Sequence, residues 1–488
     1  MKHLLHLVAL GCSLGCCLQS SLLQAQSAAE LRYLVFDPVP IAATQAEDGT
    51  LQVDELASLP REAPVLLQQW LRTNRPVMPE PLESLEDSIK RNEQLLQEIE
   101  LNDGPFSAQL PQQLLSLGAA LQASGDFEKA QDHFEQAMHV TRVNHGLFSE
   151  AQIPFVKYSI DNQLRRGNLL AADEKQRYLF YLNQKNHGGN SAALLPALQD
   201  FAEWNIFAFS APVSAPAFSL TDDSEAEKAS PVDEAMFRVE RLINAQHIYW
   251  SIAQILVANF GMTDPRLLDT EKHIALTNYF FATTVATDAE TMNLSTANVP
   301  AAAPTTGLGS AQMLGNMGYR QGRDALERRR NYMYEMDSMS AEERLRASLD
   351  VNDWMLYFSR QRMKAIEMYS SDHAQFAETM SPAALEAILN PPVPVQLPSF
   401  INPAWSRASL GLPDDQALQY KGHIDVEFSL SRFGRATAVS VLGRSSPEAK
   451  LVEQRLLRSL RRAQFRPRFE NGQLKLDDTA QVRYYYTW

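Results

Sequence analysis

From Gly422 to Leu430 the chain alternates. Ile424, Val426, Phe428 and Leu430 fall on one side, while Asp425, Glu427 and Ser429 fall on the other. Period two predicts a half-buried strand. After the turn at Arg432-Phe433-Gly434 a second strand runs through Ala438, Val439 and Val441 to Gly443-Arg444-Ser445-Ser446. The period then lengthens. Ser446 reads as an N-cap and Pro447 as the first helical residue, and Val452, Leu456 and Leu460 line one face of the helix that follows. Phe465-Arg466-Pro467, a turn at Asn471-Gly472 and a last strand from Gln481 to Trp488 complete the segment.

Upstream the spacing is helical. Residues 28–105 are hard to assign because Pro38, Pro40, Pro60, Pro64, Pro76, Pro79 and Pro81 punctuate them, although a helix from Leu82 to Leu101 is expected. Helices also read over Asp233 to Phe260 and Asp264 to Val285, the first with a stripe of Val239, Leu242, Ile243, Ile252 and Leu256. Between Leu110 and Val143, Leu114, Leu117, Gly118, Leu121, Gly125, Ala130, Phe134 and Ala137 fall at the positions of a 34-residue helical hairpin. This segment resembles a tetratricopeptide repeat. Gly118, Ala130 and Ala137 would let two antiparallel helices approach, Gly125 would make the turn, and Phe134 would fill the gap to a neighbour. Gly167 and Ala172, 42 residues on, echo Gly125 and Ala130, with Gln163 and Gln176 at positions expected to be apolar or aromatic. A third candidate hairpin spans Ala347 to Gln375.

The C-terminal order of strand, strand, helix, strand, with the Gly422 to Phe428 start, the Gly-bounded hairpin, the Ser-Ser before the helix and the Phe-x-Pro at Phe465 to Pro467, resembles the C-terminal domain of TonB. In that family the last strand is an edge onto which a receptor's extended peptide adds. The resemblance implies that Gln481 to Trp488 would serve so here, with Arg483 and Tyr485 on one face of the strand and Val482, Tyr484 and Tyr486 on the other. The Tyr-Pro pair that usually precedes the family's first strand is absent.

Composition adds compartment and charge. Lys2, the apolar stretch Leu4 to Leu18 and small residues around Ala25-Gln26-Ser27 read as a cleavable export signal. All three cysteines, Cys12, Cys16 and Cys17, lie within it, so a cleaved chain has no disulfide and no cysteine metal site. An uncleaved segment, or a lipid on Cys12 or Cys16, is the alternative and would anchor the chain to a membrane. No later segment is long and apolar enough to span one. The net charge of −14 argues against nucleic-acid binding.

The chemical census gives no His-Glu-x-x-His, Gly-x-Ser-x-Gly or P-loop signature, and no catalytic, cofactor or metal residue is expected. His133, His139 and His145 point successive rings to different helix faces. Ser340 and Glu343 form a capping box rather than part of an acid-base pair, Arg328-Arg329-Arg330 read as a solvated face, and Trp204, Phe207 and Phe209 read as core between repeats. Arg455, Arg458, Arg461 and Arg462, followed by Arg466 and Arg468, form an arginine group in an otherwise acidic chain, and Arg455, Arg458 and Arg462 share one side of the C-terminal helix. They are candidates for docking an acidic partner, peptidoglycan or an anionic headgroup; the alternative is a solvated face with cations favourably placed near the helix C-terminus.

The expected fold class is mainly α, of tetratricopeptide-like hairpins, with a small C-terminal α+β domain of the TonB C-terminal type. Its parts are a signal peptide (1–27), a poorly defined region (28–105), a helical region (106–390) with mobile loops near 211–231 and 293–318, a Pro-rich linker (391–412) and the C-terminal domain (413–488). The expected function is a non-enzymatic periplasmic adaptor, binding periplasmic or outer-membrane proteins or peptidoglycan, with Arg455, Arg458, Arg462, Arg483 and Tyr485 as partner-binding residues. The alternative is a TonB-type energy transducer or an accessory to one.

Overall fold

The computed structural model describes residues 35–41, 84–210, 231–285, 311–399 and 421–487, apart from 167, 359, 446–448 and 476–477. The expected signal segment lies outside them, as do residues 211–230 of the loop expected at 211–231 and residues 293–310 of the loop expected at 293–318. Pro231 instead begins a helix. Two compact units result. Val65–Asp337 forms a helical unit, and Ser338–Trp488 with Met1–Pro64 forms a sheet-bearing unit.

In the helical unit, α1 (Leu85–Asp103) precedes tetratricopeptide-like hairpins, the first formed by α2 (Leu110–Ser124) and α3 (Phe127–His145), the second by α4 (Ile153–Arg165) and α5 (Leu169–His187). The punctuation is periodic. Gly104, Gly146 and Gly188 each end a helix with positive φ, their N–H bonded to the carbonyls of Glu100, Arg142 and Gln184. Three residues beyond each, the hydroxyls of Ser107, Ser149 and Ser191 accept from the N–H two positions on and start the next turn. The repeat is therefore 42 residues long, a hairpin plus its connection. Within the first hairpin Gly118 is obligatory, because a Cβ there would stand 2.6 Å from the ring of Phe134, which is buried with Leu117, Leu121 and Ala130.

Four helices follow: α6 (Leu195–Ser210), α7 (Pro231–Phe260), α8 (Arg266–Phe280) and α9 (Ala311–Glu335). Trp204, Phe207 and Phe209 are buried, as a core reading requires. The expected loop at 293–318 is corrected at its end, since Ala311 to Gly318 are the first turns of α9. Small residues there serve close packing rather than mobility: a Cβ on Gly318 would lie 2.6 Å from the Asn278 carbonyl oxygen and 2.8 Å from the Ala282 nitrogen.

The sheet-bearing unit opens with α10 (Ala341–Tyr357), capped by the reciprocal Ser340–Glu343 box, then α11 (Arg362–Phe376) and α12 (Pro382–Leu389). The strands are β1 (Val35–Pro40), β2 (Gly422–Leu430), β3 (Ala436–Arg444), β4 (Phe469–Glu470), β5 (Gln473–Leu474) and β6 (Asp478–Thr487), with α13 (Ala449–Arg462) after β3. β2 alternates as expected. Ile424, Val426, Phe428 and Leu430 face Val452, Leu456 and Leu460 of α13 and Val482, Tyr484 and Tyr486 of β6 in one core. Asn471 and Gly472, both at positive φ, turn β4 into β5.

The division of the chain does not fall at the Pro-rich stretch. Residues 391–398 are packed along 464–468: the Leu397 N–H donates to the Gln464 carbonyl (2.7 Å) and the Arg466 N–H to that of Val395 (2.8 Å). The Arg468 guanidinium donates to the carbonyls of Pro391 and Pro392. Prolines bring acceptors without donors, which suits a strip laid against guanidinium groups. Deeper still, Arg466 forms a bidentate pair with fully buried Asp353 of α10 (3.0 and 2.7 Å), whose Oδ1 also accepts from the Tyr369 hydroxyl of α11 (2.5 Å). The third candidate hairpin, α10 and α11, thus belongs to the sheet-bearing unit.

Candidate partner-binding surfaces

The last strand is not an edge. The sheet order is β1-β6-β2-β3, and β6 is paired on both sides, with Tyr486 opposite Phe36 on β1 and Gly422 on β2. The sequence reading missed β1 because Val35-Phe36-Asp37-Pro38-Val39-Pro40 carries two prolines, which count against a strand. Prolines are tolerated where one side of a strand is unpaired, and this strand is outermost. Val39 is buried and Phe36 packs edge-on against Tyr484, with ring centroids 6.5 Å apart. Arg483 is engaged as well, holding Asp425 across the β2–β6 pair at 2.7 and 2.9 Å, and Tyr485 lies against the His423 ring at 5.6 Å. Neither residue borders an open backbone edge.

The arginines of α13 are placed differently. Arg458, Arg461 and Arg462 are exposed and Arg455 is half-buried, while the apolar stripe opposite them faces the core. Other elements add to this group. From the β2–β3 turn, Arg435 donates to the Arg462 carbonyl (2.9 Å) and the Arg432 guanidinium lies 4.6 Å from the Phe433 ring centroid. Arg362, near the start of α11, approaches the same ring at 5.5 Å. Among the described residues, Arg432, Arg435, Arg458, Arg461 and Arg462 form no ion pair, whereas Arg444 at the far end of β3 is paired with Glu453 (3.0 Å). The helix period exposed the first part of this cluster in the sequence. Its turn and α11 members lay too far away in the chain to be grouped.

On the helical unit the 42-residue register repeats side chains as well as caps. Asn144 donates to the Phe106 carbonyl (3.0 Å) and Asn186 to the Phe148 carbonyl (2.9 Å), which fixes each connection against the second helix of the hairpin that follows it. The rings of Phe106 and Phe148 are then held against His139 and Tyr181, residues also 42 apart, with centroids at 6.1 and 5.6 Å. Lys185 caps the second pair from 5.2 Å above Tyr181. Phe106 is 50% exposed, and Val143, Leu147 and Leu101 beside these connections are exposed more fully. His139 is therefore one side of an aromatic pair.

Polar groups inside the helical unit fix its interior. Asp173 accepts from Trp204 Nε1 (2.8 Å), Arg241 Nη2 (2.7 Å) and Arg177 Nε (3.0 Å). Arg328, expected on a solvated face, instead grips buried Glu271 with two bonds of 2.8 Å, because an interior carboxylate needs a fork of donors. Glu203 has a different setting: its bond is from the Gln199 amide (2.7 Å), and burial pushes its carboxyl up to about 7. Nearby, Tyr249 stacks on His273 at 4.9 Å. His273 donates from Nδ1 to the Asp269 carbonyl, and burial draws its imidazole down to about 4. Among the described residues no group of three or more His, Cys, Asp or Glu is disposed to hold a metal ion.

No protein-family model and no curated protein matches the chain. Solved structures similar to it include BtubC (BKLC) from P. vanneervenii, at 11% identity and a TM-score of 0.29, covering 62% of this chain and 94% of that one. A Podosopora anserina putative kinesin light chain with nearly identical TPR-like repeats is similar at 11% identity and a TM-score of 0.31, covering 55% and 97%. Superpositions this loose carry no weight. The tetratricopeptide-like description rests on the hairpins and their register.

Proposed function

We propose that this chain is an exported periplasmic interaction protein whose helical unit receives one polypeptide partner and whose TonB-like unit receives another. The observation that carries this reading is the ladder of half-exposed aromatic pairs, Phe106–His139 and Phe148–Tyr181, repeated in register on neighbouring hairpins. Asparagine bonds hold the backbone beneath each pair, so the rings themselves are spare contact surface for a partner. The export signal read at residues 1–27 supports the compartment, and Arg458 and Arg462 on α13 support an anionic contact. Replacing Phe106 and Phe148 together by serine, with the fold checked by circular dichroism, should abolish cross-linked capture of the array's partner from periplasm. Undiminished capture overturns the proposal. Intact mass of the native protein tests export: retention of residues 1–25, or a lipid on a cysteine, counts against a cleaved, soluble form.

The transducer reading draws on the strand, strand, helix, strand order. It requires a receiving edge at β6, which β1 occupies, and an anchor. Among the described residues no helix is long and apolar enough to cross a membrane. Binding of a receptor peptide to a chain lacking residues 28–41, and not to the full chain, would favour it.

A further inference from the structure

With β6 covered, the sheet has its second outer strand at β3, and the arginines that form no ion pair among the described residues gather where β3 begins. We propose that β3 and this cluster form a docking site for an extended, acidic segment of a partner protein, added antiparallel or parallel to β3 with its carboxylates against Arg432, Arg435, Arg461 and Arg462. The site goes beyond the array reading, since it lies wholly on the sheet-bearing unit.

Three observations point to this occupant. The first is the charge. In a chain of net charge −14, five arginines drawn from the β2–β3 turn and α13 have no ion-pair partner among the described residues, while Arg444 and Arg483 of the same sheet are paired with Glu453 and Asp425. Cations left over where acids are abundant complement an acidic ligand, and planar guanidinium forks suit carboxylates in particular.

The second observation is the strand itself. Thr437, Ala438, Ser440, Leu442 and Arg444 of β3 are exposed, and Leu442 is half open to solvent. Gly434 and Arg435, just before β3, are bridged to Phe465 and Gln464, but among the described residues no strand pairs with the outer side of β3 itself, whose main-chain groups beyond that bridge are the ones offered to an incoming chain. Unlike β1, it contains no proline. The third is that Val452, Leu456 and Leu460 of α13 all point into the core, so the arginine side of that helix offers a bilayer no apolar stripe to insert.

The test uses the full chain and a fluorescent octapeptide of alternating glutamate and valine, followed by anisotropy. A lysine–valine peptide, two copies N-methylated at alternate residues in opposite registers, and phosphatidylglycerol vesicles complete the set. The glutamate peptide should bind saturably and weaken with salt, and the lysine peptide should not bind. R461E/R462E, two exposed side chains outside the core, should weaken binding at least about tenfold. One of the two N-methyl registers, the one that removes the N–H groups facing β3, should weaken it comparably. No saturation up to about 1 mM, which corresponds to roughly −4 kcal/mol, overturns the proposal. Equal affinity in R461E/R462E, equal affinity of both N-methyl peptides, or binding of vesicles in place of the peptide does the same. The array's own partner, captured through Phe106 and Phe148, is expected to be indifferent to R461E/R462E, so failure of one reading leaves the other standing.

Discussion

The helical unit and the sheet-bearing unit are built from contacts of different reach. In the first, stabilising partners lie in the same hairpin or the next: Gly118 meets Phe134, Gln131 bonds Ser159, and Asn186 returns to Phe148. In the second they are far apart in the chain, as with Asp353 and Arg466, Asn390 and Phe469, or Val35 and Thr487. A repeat distributes its stability along the chain; a sheet closed by distant segments concentrates it in a few junctions. Damage at one junction should therefore be severe and confined to its unit.

Removing the Asp353 carboxylate is the strongest test. Asp353→Ala leaves Arg466 buried without its anion and Tyr369 without its acceptor, which should cost about 3–5 kcal/mol. Hydrogen exchange should rise through β2, β6 and α10 while α2 to α5 stay protected. Equal loss in both units would show that the division is wrong. The triple variant D353L/R466M/Y369F removes all three polar groups together and should recover much of that loss.

A second test addresses the helical unit through pH. The carboxyl of Glu203 is raised in the folded state, so its contribution is fully present below about 4.5, the ordinary glutamate value, and is lost as pH rises through about 7. Glu203→Gln should thus be close to neutral at pH 4 and more stable than the parent at pH 8.5, by roughly 2–3 kcal/mol. His273 has the opposite sense: its contribution is present above about 6.5 and lost as pH falls through about 4. A Glu203→Gln difference that does not vary with pH would mean that the carboxyl is solvated.

Smaller effects sharpen the contrast. Ala130→Leu overpacks the α2–α3 hairpin against Phe134 and should cost about 1–3 kcal/mol, with protection lost also in α4 and α5 because repeats lean on their neighbours. An unchanged denaturation midpoint would overturn the packing assigned to Ala130. Least of all, Ser340→Ala removes the α10 cap at about 1 kcal/mol, and fraying should be limited to the first turn of that helix.

The same difference in reach decided what was legible. β2 could be read residue by residue, since alternation is a local signal and its bounds coincide with those expected, Gly422–Leu430. The first hairpin was legible from Gly118, Gly125, Ala130 and Phe134 for the same reason. The 42-residue period was visible at Gly125 and Gly167, but the glycine–serine punctuation at 104–107, 146–149 and 188–191 shows it better. Alanine- and glycine-rich composition suggested a loop where α9 begins, because composition does not reveal that a backbone passes close by. β1 and the role of the Pro-rich stretch depend on partners with no sequence proximity at all. The arginine cluster was half legible, through one helix of the three elements that form it.

The pairing of β1 with β6 also sets an order of events at the ribosome. β1 precedes every other described element in the chain and β6 follows them all, so the four-stranded sheet cannot close until the helical unit and β2 to β5 have been made. The hairpins of the helical unit need only what has just been made, and each can fold as its neighbour emerges. During that interval the short Val35–Pro40 strand travels unpaired, and its two prolines make it a poor template for adhesion to other nascent chains. A chain ending at residue 337 would thus carry every described helix of the helical unit and none of β2 to β6.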